Sequence, residues 1–174
     1  MKKVVLLSVF LGGCTVMDTP ANFYPEISAT FDPAEVAWAK EAGSNTITGN
    51  AVLRTVGGDA KTCAGLEVNL VPMSSYAKAR FDVMYGGLSR GILPASINKQ
   101  WSSTDPRYVE AARRTRCDSQ GNFIFERIPD GQYYVTAMVV WGVPQQYHTS
   151  TEGGVLMEKI TVSGGETKRL ILTV

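Results

Sequence analysis

Asp118-Ser119-Gln120-Gly121-Asn122-Phe123-Ile124-Phe125-Glu126-Arg127-Ile128-Pro129-Asp130-Gly131-Gln132-Tyr133-Tyr134-Val135 is the stretch that decides the fold. Asp118 to Gly121 has the composition of a turn that opens a strand, because an Asp side chain bonds nearby backbone and glycine accepts the left-handed conformation. Phe123 and Phe125 are two residues apart, so they enter one face of a strand together while Asn122, Ile124 and Glu126 take the other. Pro129 and Gly131 reverse the chain, and Tyr133 and Val135 re-enter on the facing strand. That strand continues through Ala137, Val139 and Trp141, alternating with Tyr134, Thr136, Met138 and Val140. Since both of its faces are largely apolar, it is expected to be central and covered on each side.

Outward from this run the two-residue period recurs. Ile47, Gly49, Ala51 and Leu53 alternate with Thr48, Asn50, Val52 and Arg54 up to a Gly57-Gly58 turn, and Leu66, Val68 and Leu70 alternate with Glu67 and Asn69 before Pro72. Residues 156–162 and 168–174 read as two further strands joined by Ser163-Gly164-Gly165, a tight-turn composition. Many short strands separated by turns predict an all-β protein, a β-sandwich. The 118–135 run resembles the D-x-x-G-x-F-x-F-x-x-L/I-P-x-G-x-Y-x-V pattern of carboxypeptidase regulatory-like domains, the transthyretin-like (prealbumin-like) group. Ala64-Gly65-Leu66-Glu67-Val68-Asn69-Leu70 is similar to that group's A-G-x-x-V-x-L strand. Ile47-Thr48-Gly49-Asn50-Ala51 is similar to its I-x-G-x-V strand, with Ala51 in place of valine. The resemblance covers residues 47–72 and 117–174 in outline. It implies one sandwich of about seven strands over 47–174, in a group whose members are commonly non-catalytic stability, adhesion or recognition modules.

Residues 74–112 depart from that group's short connection. An excursion of this length is too long to be structureless in a compact domain. Tyr76, Arg80, Phe81 and Met84 recur at helical spacing after Ser74 or Ser75, and Asp105-Pro106 is a helix start, so the insertion is expected to be partly helical with two short helices. It also gathers aromatics that a sandwich does not require. Either they pack the insertion onto the sheet, or they form a recognition surface for sugar stacking or protein docking. On the second reading Phe81, Tyr85, Trp101 and Tyr108 are the binding residues.

At the amino terminus Lys2 and Lys3 precede an apolar run from Val4 to Leu11 and then Gly12-Gly13-Cys14. The run is too short to cross a bilayer and has the layout of an export signal. Leu11-Gly12-Gly13-Cys14 resembles the lipobox of bacterial lipoproteins, in which a signal peptidase cuts before the cysteine and diacylglycerol is attached to its sulfur. That resemblance implies a signal peptide over 1–13, lipidation at Cys14, and stable mooring through several acyl chains such as palmitate. Thr15 stands where Asp is the familiar inner-membrane retention signal, so an outer-membrane site facing the periplasm or the cell surface is expected. An ordinary secreted protein with Cys14 merely near the cleavage point is the alternative. Residues 14–46 then form an anchor, a Pro-containing tether or strap, and a short helix opened by Asp32-Pro33-Ala34-Glu35, favoured as far as Ala42 and stopped by Gly43.

Cleavage before Cys14 removes 13 of the 174 residues and leaves 161, enough for one domain with a moderate core. The formal net charge is +1 and becomes −1 without Lys2 and Lys3, which gives no case for nucleic acid. Cys63 and Cys117 are the remaining cysteines, an even pair in an exported chain, and a disulfide is expected. Paired metal ligands are the alternative, but His148 is the only histidine and no C-x-x-C occurs. No metal site and no cofactor are called for. His148 is the natural catalytic suspect for a small hydrolase, yet no G-x-S-x-G turn accompanies it and Ser150 is too near in sequence to imply triad geometry. The expected function is a membrane-anchored, non-catalytic structural or interaction lipoprotein of the bacterial envelope, with an envelope protein or glycan as partner. A carbohydrate- or peptide-binding module built on the 74–112 aromatics is the alternative.

Overall fold

A computed structural model describes residues 22–174; Cys14 and the rest of the signal and anchor lie outside the described residues. β1 (Asn45–Arg54) turns Ile47, Gly49, Ala51 and Leu53 inward, as the alternation requires. It pairs antiparallel with β2 (Ala60–Thr62) and β6 (Asn122–Ile128), and parallel with β9 (Thr167–Leu172), making a four-stranded sheet. The second sheet runs β4 (Arg90–Pro94), β8 (Thr149–Val162), β7 (Gly131–Pro144), β3 (Glu67–Pro72), β5 (Arg113–Arg116), antiparallel throughout. The two sheets enclose Ile47, Leu70, Phe123, Phe125, Val135 and Leu156, among others. The fold is therefore a transthyretin-like β-sandwich with nine strands among the described residues, not about seven. β2, β4 and β5 carry no alternating apolar pattern; they sit at sheet edges, where charged and irregular sequence blunts further pairing.

β7 is central and covered on both sides, as its composition predicts. Tyr133, Val135, Ala137 and Val139 face the inter-sheet core. Tyr134 on the opposite face lies under α1 (Ser75–Tyr85), stacked against Phe81 with ring centroids 4.0 Å apart. Cys63 and Cys117 are joined in a disulfide that closes a loop over 54 positions. The turn before β6 is held by Asp118, whose Oδ1 accepts from the Gln120 and Asn122 N–H groups, with Gly121 at φ +83°.

Two connections differ from expectation. Gly131 is not a left-handed turn residue; a Cβ there would lie 2.2 Å from the Trp38 ring, so its role is to let that ring approach the start of β7. Ser163-Gly164-Gly165 does not make a hairpin, because β8 and β9 belong to different sheets and β9 runs parallel to β1. A buried side chain holds that crossing. The Asn45 Oδ1 accepts from the Gly165 and Glu166 N–H groups, while its Nδ2 donates to the Ile128 carbonyl and to Asp130.

The segment after Asp32 forms a 3-10 helix (Pro33–Lys40), ending before Gly43 and capped by Asp32. Glu35 does not return a bond to its own first turn; it accepts from the Ser75 N–H at 2.6 Å and so caps α1 instead. Val36 is buried with Phe31 and Tyr76, and Ala39 belongs to the inter-sheet core. These contacts tie the short helix into the packing although its sequence shows only a modest apolar face.

Candidate functional site

α1 begins at Ser74, whose side chain accepts from the Ala77 N–H, and ends at Gly86 in the left-handed conformation. Ala77, Phe81 and Tyr85 recur every four residues and so share one stripe, which packs on Val71, Tyr134 and Met157 of the second sheet. The Tyr85 hydroxyl donates to the Val155 carbonyl at 3.2 Å. Phe81 and Tyr85 are only 4% and 6% exposed. Of the four aromatics expected to bind, these two fasten the insertion to the sheet, the packing role left open for them by sequence.

One step round the helix, Tyr76 and Arg80 face the other way, toward the strap of residues 22–31 and the loop before α2 (Pro106–Ala111). The strap is laid along this loop by backbone bonds: the Tyr24 N–H donates to the Gln100 carbonyl and the Gln100 N–H to the Asn22 carbonyl, each at 3.0 Å. Trp101 follows directly, half-buried, with the Tyr24 ring centroid 5.0 Å from its own. Arg80 Cζ lies 4.2 Å from the Trp101 ring centroid and 5.4 and 5.3 Å from those of Tyr76 and Tyr108. Tyr108 packs edge-on against Phe31 and Tyr76, and burial pushes its hydroxyl up to about 12, so it stays protonated and neutral.

Between strap, α1 and the start of α2 lies a cleft of about 660 Å³. Trp101, Phe31 and Tyr76 give it aromatic lining; Glu26, Thr104 and Asp105 give it hydrogen-bonding groups. Asp105 caps α2 through the Arg107 N–H and is gripped by the Arg107 guanidinium at 3.1 and 2.7 Å. That guanidinium holds its carboxyl below the usual carboxylate range. Phe81, Tyr85 and Tyr108 line a separate, smaller hollow of about 270 Å³. The structure thus places Trp101 at the main cleft and Tyr108 behind it, and leaves Phe81 and Tyr85 on the far side of α1.

His148 is exposed in the loop between β7 and β8. Ser150 Oγ donates to the Val143 carbonyl at 3.4 Å and lies 3.4 Å from a Glu152 carboxylate oxygen, so no histidine-activated serine is assembled there. Among the described residues no three His, Cys, Asp or Glu side chains gather to hold a metal, and no helix is long and apolar enough to cross a membrane.

Among solved structures, the chain is similar to PA1324 from Pseudomonas aeruginosa, a proposed carbohydrate-binding protein. The TM-score is 0.70 and the identity 30%, over 84% of this chain and 99% of that one. The chain belongs to the family of PA1324. No protein-family model matches the chain, and no curated protein does.

Sequence reasoning singled out neither Arg80 nor Thr104 for the cleft, nor the strap residues. A signal for Arg80 was present: it sits at the helical spacing of Tyr76 and Met84, on a face otherwise aromatic and apolar, where a solvated arginine is out of place. Thr104 and the strap residues gave none, since only the fold brings them beside α1.

Proposed function

We propose that the protein is a non-catalytic carbohydrate-binding module whose ligand occupies the cleft between the strap of residues 22–31 and α1. A sugar offers apolar C–H faces and ring-edge hydroxyls together, and is met by aromatic surface interleaved with directional polar groups. The cleft has that mixture: Trp101 and Tyr76 beside Arg80, Thr104 and the Asp105 carboxylate. The observation that carries the reading is this lining, and kinship with PA1324 supports it. An envelope-protein partner has no observation of comparable weight.

Binding of the full chain to an array of neutral and acidic glycans tests the reading. Trp101→Ala is expected to weaken retained glycans by about tenfold or more, by analogy with truncation of other central aromatic anchors. His148→Ala is expected to change nothing. Glycan binding untouched by Trp101→Ala would place the ligand elsewhere.

We also propose that Cys14 is lipidated and holds this module at the bacterial outer membrane, on the strength of Leu11-Gly12-Gly13-Cys14. Intact mass of membrane-extracted protein should show cleavage before Cys14 and attached acyl chains. An unmodified chain beginning at Met1 would overturn the anchor.

A further inference from the structure

Arg80 is the most anomalous charge among the described residues. It is 6% exposed, and among the described residues no carboxylate lies within ion-pairing distance of it. A guanidinium has five N–H donors and remains charged in proteins. Two bonds are made, from Nη1 to the Tyr76 hydroxyl at 2.8 Å and from Nη2 to the Thr104 hydroxyl at 3.2 Å. The Nε–H has no acceptor, and neither has the buried indole N–H of Trp101 beside it. Cation–π contact with three rings offsets part of the desolvation, but rings accept no in-plane N–H. Burying a charge without a counter-charge is costly, and a site that tolerates it is poised for one.

The remaining charges of the cleft do not fill that place. Asp105 is committed to Arg107. Glu26 is exposed on the strap, where water and salt screen it, and it accepts from the Ser102 hydroxyl. Tyr108 stays neutral. Arg80 is screened least of these groups and lines the cleft.

We infer that the cleft's ligand is an acidic glycan, and that Arg80 receives its anionic group. This rests on the carbohydrate reading above. A carboxylate of a uronate, or a sulfate or phosphate ester on a sugar, presents planar or tripodal oxygens to the guanidinium fork and supplies the missing acceptors. Arg80 is then the residue that sets specificity for acid over neutral sugar, while Trp101 contributes to both.

The test uses wild-type full chain first, with matched ligands that differ only in charge. Oligogalacturonate is compared with its fully methyl-esterified form, and a sulfated or phosphorylated oligosaccharide with its unsubstituted parent. The acidic member of at least one pair should bind about tenfold or more tighter, with affinity falling as salt rises. Which pair responds separates carboxylate from ester chemistry. Arg80→Lys keeps the charge and loses the fork; it should lower the ratio of acidic to neutral affinity several-fold, with circular dichroism confirming the fold. Equal affinities within both pairs, or tighter neutral binding, would overturn the acidic ligand and leave the carbohydrate reading standing. No glycan bound in any form, on these pairs or on the array, would overturn both.

Discussion

Asn45 shows how much a single polar side chain can fix in a β-sandwich. Its amide is buried and fully engaged, with two donors and two accepted bonds spanning β1, the end of β6 and the turn before β9. Asn45→Ala should cost about 2–3 kcal/mol, the scale of leaving buried partners unpaired, read as a shift of the urea midpoint at unchanged slope. Gly131→Ala forces a methyl into the Trp38 ring and should cost about 1–3 kcal/mol, the scale of overpacking; a melting temperature equal to wild type would show that Trp38 moves aside freely. Asp130 is held below the usual carboxylate range by the Asn45 amide and then by the Gly164 N–H. Asp118 is held below it by the Asn122 N–H and side chain. A depressed folded-state value means that the stabilisation is complete above the unfolded value of 3.8 and is lost as pH falls below it. The acid limb of the stability curve should therefore flatten in Asp130→Asn, measured as midpoint against pH. Little of this was legible in sequence. Asn45 precedes the alternating run and looks like any polar residue at a strand start, and Gly131 looks like a turn residue, because a contact with Trp38 leaves no local mark.

At the scale of elements, α1 separates two jobs by the faces of one helix. Phe81 is buried and stacked on Tyr134, with Tyr85 beside it, so Phe81→Ala should cost about 3–5 kcal/mol. Because Phe81 does not line the main cleft, glycan affinity of the folded fraction should hold; equal losses in stability and affinity would join the two faces functionally. Breaking the Cys63–Cys117 bridge, by reduction or as the double alanine variant, should lower stability by about 4 kcal/mol for a loop of this length in the chain-entropy view. β1, β3 and β6 could be read from sequence because the pleat enforces alternation along their inward faces, and β7 because both of its faces are apolar. β4 and β5 could not, since an edge strand is held by its backbone ladder and its side chains answer to solvent. α1 was visible through its apolar spacing, although the split between a packing stripe and a cleft-facing arginine was not.

Across the whole molecule, the cleft is assembled from three segments remote in sequence: the strap, one face of α1, and the loop leading into α2. Sequence located aromatic residues in the 74–112 excursion but could not say which of them shared a wall, nor that the strap supplied the opposite one. The strap also bears on placement in the envelope. Asn22, its first described residue, follows Cys14 by eight positions, a span of at most about 29 Å of extended chain. On the proposed anchor, the cleft is held within that reach of the lipid surface plus the width of the strap itself. A sugar-binding cleft in this position would meet membrane-proximal glycan first. The claim that the cleft is the binding site is tested most directly by amide chemical-shift mapping of the full chain during titration with a glycan retained on the array. Shifts concentrated at residues 26–31, 76–80 and 101–107 are the predicted result; shifts concentrated at residues 145–150, or on the outer face of the four-stranded sheet around Ile124 and Ile171, would contradict it.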